Sequence, residues 1–381
     1  MMRGWGSVRE PWPFVLGREL DGIFAIEDWS ALAGDGMVRF RGRLLVSPEA
    51  AMSLLVPRIE PYGYLPMIRS PEEIAMLRLK PVMSGPDAAW KGWPLHLALF
   101  LGTVATTFFV GTGMDITVLL VGEDSPGRYA LRVLGDPSRL LQGVLFSASL
   151  LLILGIHELG HYFAARAYGV SVSLPYFVPL PVWPMGTMGA IIRMRSPIPN
   201  RKVLFDIGVA GPLLGLCLAL PILVIGLHLS PVQPLSGVAW QEGNSLAYLF
   251  LKWLVKGPIP EGSDVMLHPM AMAGWLGFFV TALNLMPLSQ LDGGHIVYAA
   301  LGRGYRKVVW LFVGALVVLF LVSHWPGWLV WVTLALVLGL RHPPPLDDLT
   351  PLDPPRRLLA FVALGLLVVL ITPLPLALYE F

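Results

Sequence analysis

The stretch Gly155-Ile156-His157-Glu158-Leu159-Gly160-His161 closes an apolar run that begins near Leu140. On a helix, residues i and i+4 share a face, so the two imidazoles can grip one metal ion while Glu158, one position round, can hold a water beside it. This is the donor pattern of a zinc-dependent hydrolase. Its surroundings add to the meaning. Leu140 to Ile156 is long and apolar enough to lie in hydrocarbon, where ionisable side chains are costly and tied to function. The sequence therefore implies hydrolytic chemistry inside a membrane.

Composition agrees. Of 381 residues, 55% are hydrophobic and 14% charged, where a soluble domain carries roughly a quarter charged residues. A net charge of +2 supplies no concentrated basic surface, so no nucleic-acid partner is expected. Cys217, the single cysteine, lies in an apolar run, which excludes disulfide scaffolds, zinc ribbons and thiol redox pairs. Any metal must be held by His, Asp and Glu. The first ninety residues lack the basic start, apolar core and cleavage site of a signal peptide, and the sequence shows no transit peptide. The expectation is a multi-pass protein of a prokaryotic inner membrane with its N-terminus in the cytoplasm.

Taken in order, residues 1–37 form an N-terminal segment and 38–82 a small soluble α+β module. Val38, Phe40 and Gly42 alternate with Arg39, Arg41 and Arg43 as in a half-exposed strand. Pro48 to Leu55 predicts a helix, and Tyr62 to Arg69 and Ile74 to Leu79 predict further strands. No ligand cluster occurs here, so this part reads as a cap or partner surface. Apolar stretches follow at Leu95–Val110, Leu140–Ala165, Val203–Leu229, Pro269–Leu288, Val308–Val322, Gly327–Leu340 and Leu358–Leu378. They predict a polytopic α-helical membrane protein of about 6–8 transmembrane helices. Its core covers 94–340, with a first span at 94–111, a metal helix at 140–166, a membrane-associated β segment at 171–199 and an Asp-bearing helix at 269–294. A C-terminal loop and last transmembrane helix occupy 341–381. Leu246–Val255, short and broken by Lys252, reads as interfacial or re-entrant.

With the N-terminus inside, the loops that end in Arg193, Arg195, Arg201, Lys202, Arg303, Arg306, Lys307, Arg341, Arg356 and Arg357 are cytoplasmic. The opposite loops, Gly111–Arg139 and Ser230–His268, hold five basic residues against seven acidic, as the positive-inside rule requires. Both polar clusters then come to one cytoplasmic-side depth. Within the β segment, Gly186 to Met194 reads equally as a surface hairpin or as an edge strand that an unwound substrate could join by strand addition.

Catalytic zinc commonly takes three protein ligands, and HExxH supplies two. The candidates for the third are Asp292 and His295, which flank Gly293-Gly294. Charge favours Asp292, since an anionic ligand suits the ion and the double glycine permits close approach. His295 then reads as a substrate contact or a support. Pro287 interrupts the helix before Asp292 and suits a pocket wall. Asn284 reads either as a donor to the scissile carbonyl or as a helix-to-helix hydrogen bond. His96, His228, His268, His324 and His342 fall near helix ends and read as solvated interfacial residues. Gly211-Pro212-Leu213-Leu214-Gly215 and Gly274-Trp275-Leu276-Gly277 read as close helix packing.

With His157-Glu158-Leu159-Gly160-His161 in one helix and Asn284-Leu285-Met286-Pro287 leading to Leu291-Asp292-Gly293-Gly294 in a later one, the chain resembles the site-2 proteases, intramembrane zinc metalloproteases. The similarity covers about Leu140 to Leu301 and includes Gly189-Ala190-Ile191, Gly211-Pro212 and His268-Pro269 to Trp275. Within the family it is most similar to the EGY-like branch without a PDZ domain. The resemblance implies Zn2+ on His157, His161 and Asp292, Glu158 as general base, Asn284 assisting the substrate carbonyl, and a membrane-spanning protein substrate drawn from the lipid bilayer. A metal or proton transporter using the same His/Asp cluster is the alternative. It predicts polar residues along several helices on both sides of the membrane, whereas here they gather at one depth. A non-catalytic scaffold would be expected to lose Glu158 or a ligand, and neither is lost. A membrane-bound but soluble-facing protease would carry its motif outside an apolar run.

Overall fold

The computed structural model describes residues 12–32, 37–78, 92–113, 131, 133–181, 184–235, 238–288, 290–338 and 342–380. The start of the N-terminal segment, 1–11, lies outside them, as do 182–183 of the β segment. Two compact units make up the fold.

The first unit combines residues from 1–84 with Ser196–Leu204 and Pro343–Asp353. After α1 (Trp12–Arg18), strands β1 (Phe24–Leu32), β2 (Met37–Leu44), β3 (Tyr64–Ser70) and β4 (Glu73–Arg78) form an antiparallel sheet in the order β1-β2-β4-β3. The alternation expected in β2 is present, with Val38 and Phe40 4% and 1% exposed. Helix α2 (Pro48–Ile59) starts at Ser47, whose hydroxyl accepts the Ala50 amide, and buries Ala51, Leu55 and Ile59 at helical spacing. These pack with Leu16, Leu20, Ile68 and Ile74 in one core.

The unit differs from the predicted 38–82 module in two ways. It begins earlier, because β1 is a full strand whose alternation is broken by a register shift between Ile26 and Asp28. It also recruits chain from far downstream. Leu346 and Asp347 donate their amides to Ile198 and Pro199, Ile68 donates to Leu346, and Asp348 donates to Ile68. Arg201 meets Asp348 at 3.0 Å, both nearly buried. Leu79, the predicted end of a strand, lies outside the described residues.

In the second unit α3 (Trp93–Gly111) precedes α4 (Pro137–Ala167), which carries the paired histidines. Asp136 caps α4 by accepting the amides of Ser138 and Arg139, and Gly169 at φ 70° ends it. Strands β5 (Tyr176–Pro179) and β6 (Thr187–Ile191) pair antiparallel, and α5 (Arg201–Leu229) follows. Beyond β7 (Val232–Pro234) and β8 (Val238–Glu242), α6 (Leu246–Lys256) is the short stretch read as interfacial. Lys252, which breaks its apolar run, is buried between Glu242 at 3.1 Å and Asp264 at 2.8 Å, beside β9 (Ser263–Val265).

The predicted Asp-bearing helix at 269–294 is not continuous. Helix α7 (Pro269–Asn284) stops, a turn carries Pro287, and α8 (Asp292–Leu301) starts at Asp292. Pro287 has no amide to continue the ladder, and Gly293 packs so tightly on the turn that a Cβ there would lie 1.9 Å from the Leu285 carbonyl oxygen. Helices α9 (Tyr305–Ser323), α10 (Gly327–Leu338) and α11 (Pro354–Leu370) complete the unit. The last span, predicted to Leu378, is shorter: Pro373 and Pro375 stop it, and β10 (Leu376–Glu380) pairs with β8. Among the described residues four helical runs are long and apolar enough to cross a membrane: Trp93–Gly111, Pro137–Ala167, Arg201–Leu229 and Asp292–Ser323. The protein is thus membrane-embedded.

Replacing Arg201 with Ala removes the guanidinium that sits 3.0 Å from the nearly buried Asp348 carboxylate. The first unit should lose about 3 kcal/mol, read as a lower unfolding midpoint and faster limited proteolysis of the N-terminal sheet.

Candidate metal centre

Residues 157 and 161 sit one turn apart on α4, and both rings are buried, 4% and 6% exposed. Opposite them, the first residue of α8 brings in Asp292. Its Oδ2 lies 3.2 Å from His157 Nε2 and its Oδ1 3.3 Å from His161 Nε2, while the two Nε2 atoms are 3.2 Å apart. A carboxylate at a helix N-terminus also faces the positive end of the helix dipole. His161 Nδ1–H donates to the Ile207 carbonyl of α5 at 2.7 Å, which fixes the tautomer and leaves Nε2 with its lone pair toward the centre.

The Ile207 carbonyl is itself held in place. Its neighbour Asp206 receives two hydrogen bonds from Arg356, at 2.8 and 2.6 Å, and one from the Tyr168 hydroxyl just past α4. That bond pushes the Tyr168 phenol above its ordinary pKa. Two glycines of α5 make room for the rings. A Cβ on Gly211 would sit 2.1 Å from His161 Nε2, and one on Gly215 would sit 3.1 Å from His157 Cβ. The Gly211-to-Gly215 pattern therefore serves the metal ligands as well as helix packing.

Glu158 is 6% exposed and lines the same cavity of about 140 Å3, together with Ile191, Ile192, Asn284 and His295. The Asn284 amide nitrogen is 3.2 Å from His157 Nε2. The structure therefore brings His157, Glu158, His161, Asn284 and Asp292 to one place. His295 reaches the cavity but does not join the ligand triangle: its Nδ1 lies 2.6 Å from His342 Nε2. Sequence reasoning missed His342 by assigning it to a solvated helix end. It is 8% exposed and stacked on Tyr298, and His96, read the same way, is 6% exposed and bonded to the Pro175 carbonyl. The one local hint for His342 was the Pro343-Pro344-Pro345 run that fixes the backbone after it.

The donor set fits zinc. Tetrahedral bonds of roughly 2.0–2.1 Å place ligand atoms about 3.3 Å apart, the spacing of the three contacts above. Among the described residues, His157, His161 and Asp292 form the one group whose ligand atoms lie within 4.8 Å of one another. Electron-rich atoms at such distances, shielded from water, repel unless a cation or protons lie between them.

Residues 145–321, which contain every residue of this centre, match peptidase family M50. Over that region the chain is similar to the M50 peptidases. The probable zinc metalloprotease EGY1, chloroplastic, of Arabidopsis thaliana is 30% identical over 317 residues, which cover 79% of this chain and 56% of the relative. The probable zinc metalloprotease EGY2, chloroplastic, of the same plant is 31% identical over 247 residues, covering 63% and 42%. A rice relative (Oryza sativa subsp. indica), the probable zinc metalloprotease EGY3, chloroplastic, is 34% identical over 233 residues, covering 55% and 38%. The chain thus spans about half the length of the curated relatives it matches. The M50 match gives the distant pairing of the HELGH and LDGG stretches its family context.

Gly211→Ala should abolish stoichiometric zinc binding, because the added methyl, 2.1 Å from His161 Nε2, forces that ring out of place, whereas Gly215→Ala should only weaken it. Metal content of the purified proteins by elemental analysis reads the difference.

Proposed function

We propose that the chain is an intramembrane zinc metalloendopeptidase that hydrolyses a peptide bond in or beside the membrane-spanning segment of a substrate protein. The observation that carries this reading is the meeting of His157, His161 and Asp292 in a buried cavity that Glu158 also lines, within the region that matches peptidase family M50. The names of its relatives, probable zinc metalloproteases, support it.

In this reading His157, His161 and Asp292 hold zinc, which when bound acts as a Lewis acid toward a peptide carbonyl and acidifies water. Glu158 takes the proton of the attacking water and passes it to the leaving amine. Asn284, whose amide points to the same centre, donates to the substrate carbonyl as negative charge develops on its oxygen. The edge of β6 not bonded to β5 holds an extended stretch of substrate by strand addition. Two observations support this: β5 and β6 form a two-stranded sheet, and Ile191 and Ile192 line the cavity.

The proposal includes about six to eight crossings, with shorter apolar helices such as Pro269–Asn284 and Pro354–Leu370 joining the four long runs. It places the protein in a prokaryotic inner membrane, with the N-terminal module and the site toward the cytoplasm. The basic residues around Arg195 to Lys202 and Arg303 to Lys307 support that orientation.

Glu158→Gln removes the proton acceptor and leaves the ligands intact. Zinc content should match the wild type, while cleavage of a co-expressed single-pass membrane protein should fall by about 10²–10⁴-fold. Cleavage at the wild-type rate would remove Glu158 from its role.

A further inference from the structure

His295 and His342 form a pair that the metal ligands do not require. His295 lines the catalytic cavity and belongs to α8, three residues after Asp292. Its Nδ1 is 2.6 Å from His342 Nε2, so one proton is shared between two ring nitrogens and the other nitrogen of His295, Nε2, is left for the cavity. The pair is tightly framed. His342 stacks on Tyr298 with ring centroids 4.4 Å apart and 19° between planes, and it meets the edge of Tyr305 at 5.9 Å. Tyr298 follows His295 by three residues on the same helix, so one face of α8 presents both rings to His342. From behind, a Cβ on Gly208 would lie 2.9 Å from His295 Cβ, so α5 closes the remaining side.

Packing alone does not account for a histidine at 342. A ring held between two tyrosines could be phenylalanine, and burying an imidazole is costly unless its nitrogens are bonded. What imidazole adds is control of the tautomer of its neighbour. If His342 Nε2–H donates to His295 Nδ1, His295 must carry its own proton on Nε2 and offers the cavity an N–H donor. If the shared proton sits on His295 Nδ1, the cavity meets a bare acceptor instead.

We propose that His342 is a positioning residue that fixes His295 as an N–H donor to the backbone carbonyl of an extended substrate in the cavity. The inference rests on the proteolytic reading above and deepens it. His295 touches substrate, and His342 acts only through His295. An extended peptide offers a free carbonyl at every residue, so a fixed donor beside the zinc ligands selects the register of the bound strand without contacting the ion.

The test uses the full-length, zinc-loaded protein in lipid nanodiscs with a purified single-pass substrate, and Glu158→Gln as the reference for no cleavage. His342→Phe keeps the stacked ring and loses the hydrogen bond, while His342→Gln loses the ring and keeps an amide donor. Positioning predicts that His342→Phe lowers kcat/KM on the order of tenfold to a hundredfold, the range for losing a partner that orients a functional side chain. Zinc content should be unchanged, and His342→Gln should recover most of the loss. A packing role predicts the reverse order. His295→Gln combined with His342→Phe should be no slower than His295→Gln alone.

A second readout does not use activity. In the wild type, ¹⁵N-histidine NMR should show His295 protonated at Nε2 and bare at Nδ1. This decides the tautomer even if His342→Phe fails to fold. Wild-type activity in His342→Phe, additive losses in the double variant, or a His295 protonated at Nδ1 would each overturn the proposal. A wild type that binds zinc and cleaves nothing while the tautomer is as stated would count against the proteolytic reading and leave the pairing standing.

Discussion

The fold depends on one awkward approach: a carboxylate from α8 must come within 3.3 Å of two imidazoles on α4. No regular pair of packed helices allows this easily, since interaxial distances of roughly 8–10 Å normally keep short side chains apart. The chain meets the demand by breaking a helix and removing side chains. The break after Asn284 puts Asp292 at a helix start, where it projects along the axis as well as sideways. Gly293 lets that start press against the Leu285 carbonyl, and Gly211 lets α5 lie against the His161 ring. Each glycine sits where a single methyl would collide with backbone or ligand.

The same constraint explains why polar groups are layered behind the centre. Charges and imidazoles in an apolar helix carry a desolvation cost of several kcal/mol unless they are paired. Around His161 the pairing extends outward in steps, from the ring to the Ile207 carbonyl, with neighbouring Asp206 held by Arg356 and Tyr168. That series ties the ends of α4 and α5 to the start of α11. Far from the centre, Lys252 follows the same rule, with a carboxylate on each side. In both places a charge that looks like an interruption of an apolar run is a fixed point of the tertiary structure.

How much of this was legible in the sequence depended on the range of each interaction. The HELGH stretch and the strand at Val38 to Gly42 are local, governed by helical or strand period, and were readable. The convergence of Asp292 with the histidines came from chemistry, since two ligands ask for a third and the double glycine marked a close approach. The break between α7 and α8 was only half legible: Pro287 announced it, yet apolar residues on both sides, up to Leu288 and again at Leu291, suggested one helix. Three features were not legible. The bulge in β1 hid its alternation, and the union of Leu346 with Ile198 and Ile68 is long-range pairing that leaves no periodic trace. His342 was misread because proximity to a helix end does not predict solvent exposure when a later loop folds back onto aromatic rings.

The size of the cavity constrains what can enter. The cavity beside the centre measures about 140 Å3, whereas an intact helix with its side chains is roughly 10–12 Å across. A helix also keeps its carbonyls in its own hydrogen-bond ladder, so even a helix that reached the centre would present no free carbonyl there. Unwinding in hydrocarbon exposes amides and carbonyls that lipid cannot satisfy, at several kcal/mol each. In the proposed function, the edge of β6 away from β5, beside the cavity, offers hydrogen-bond partners to such a backbone as it unwinds. On the proposed function, the two-stranded β5–β6 sheet fits a role as a substitute hydrogen-bond partner that lowers the cost of making a substrate linear beside the cavity.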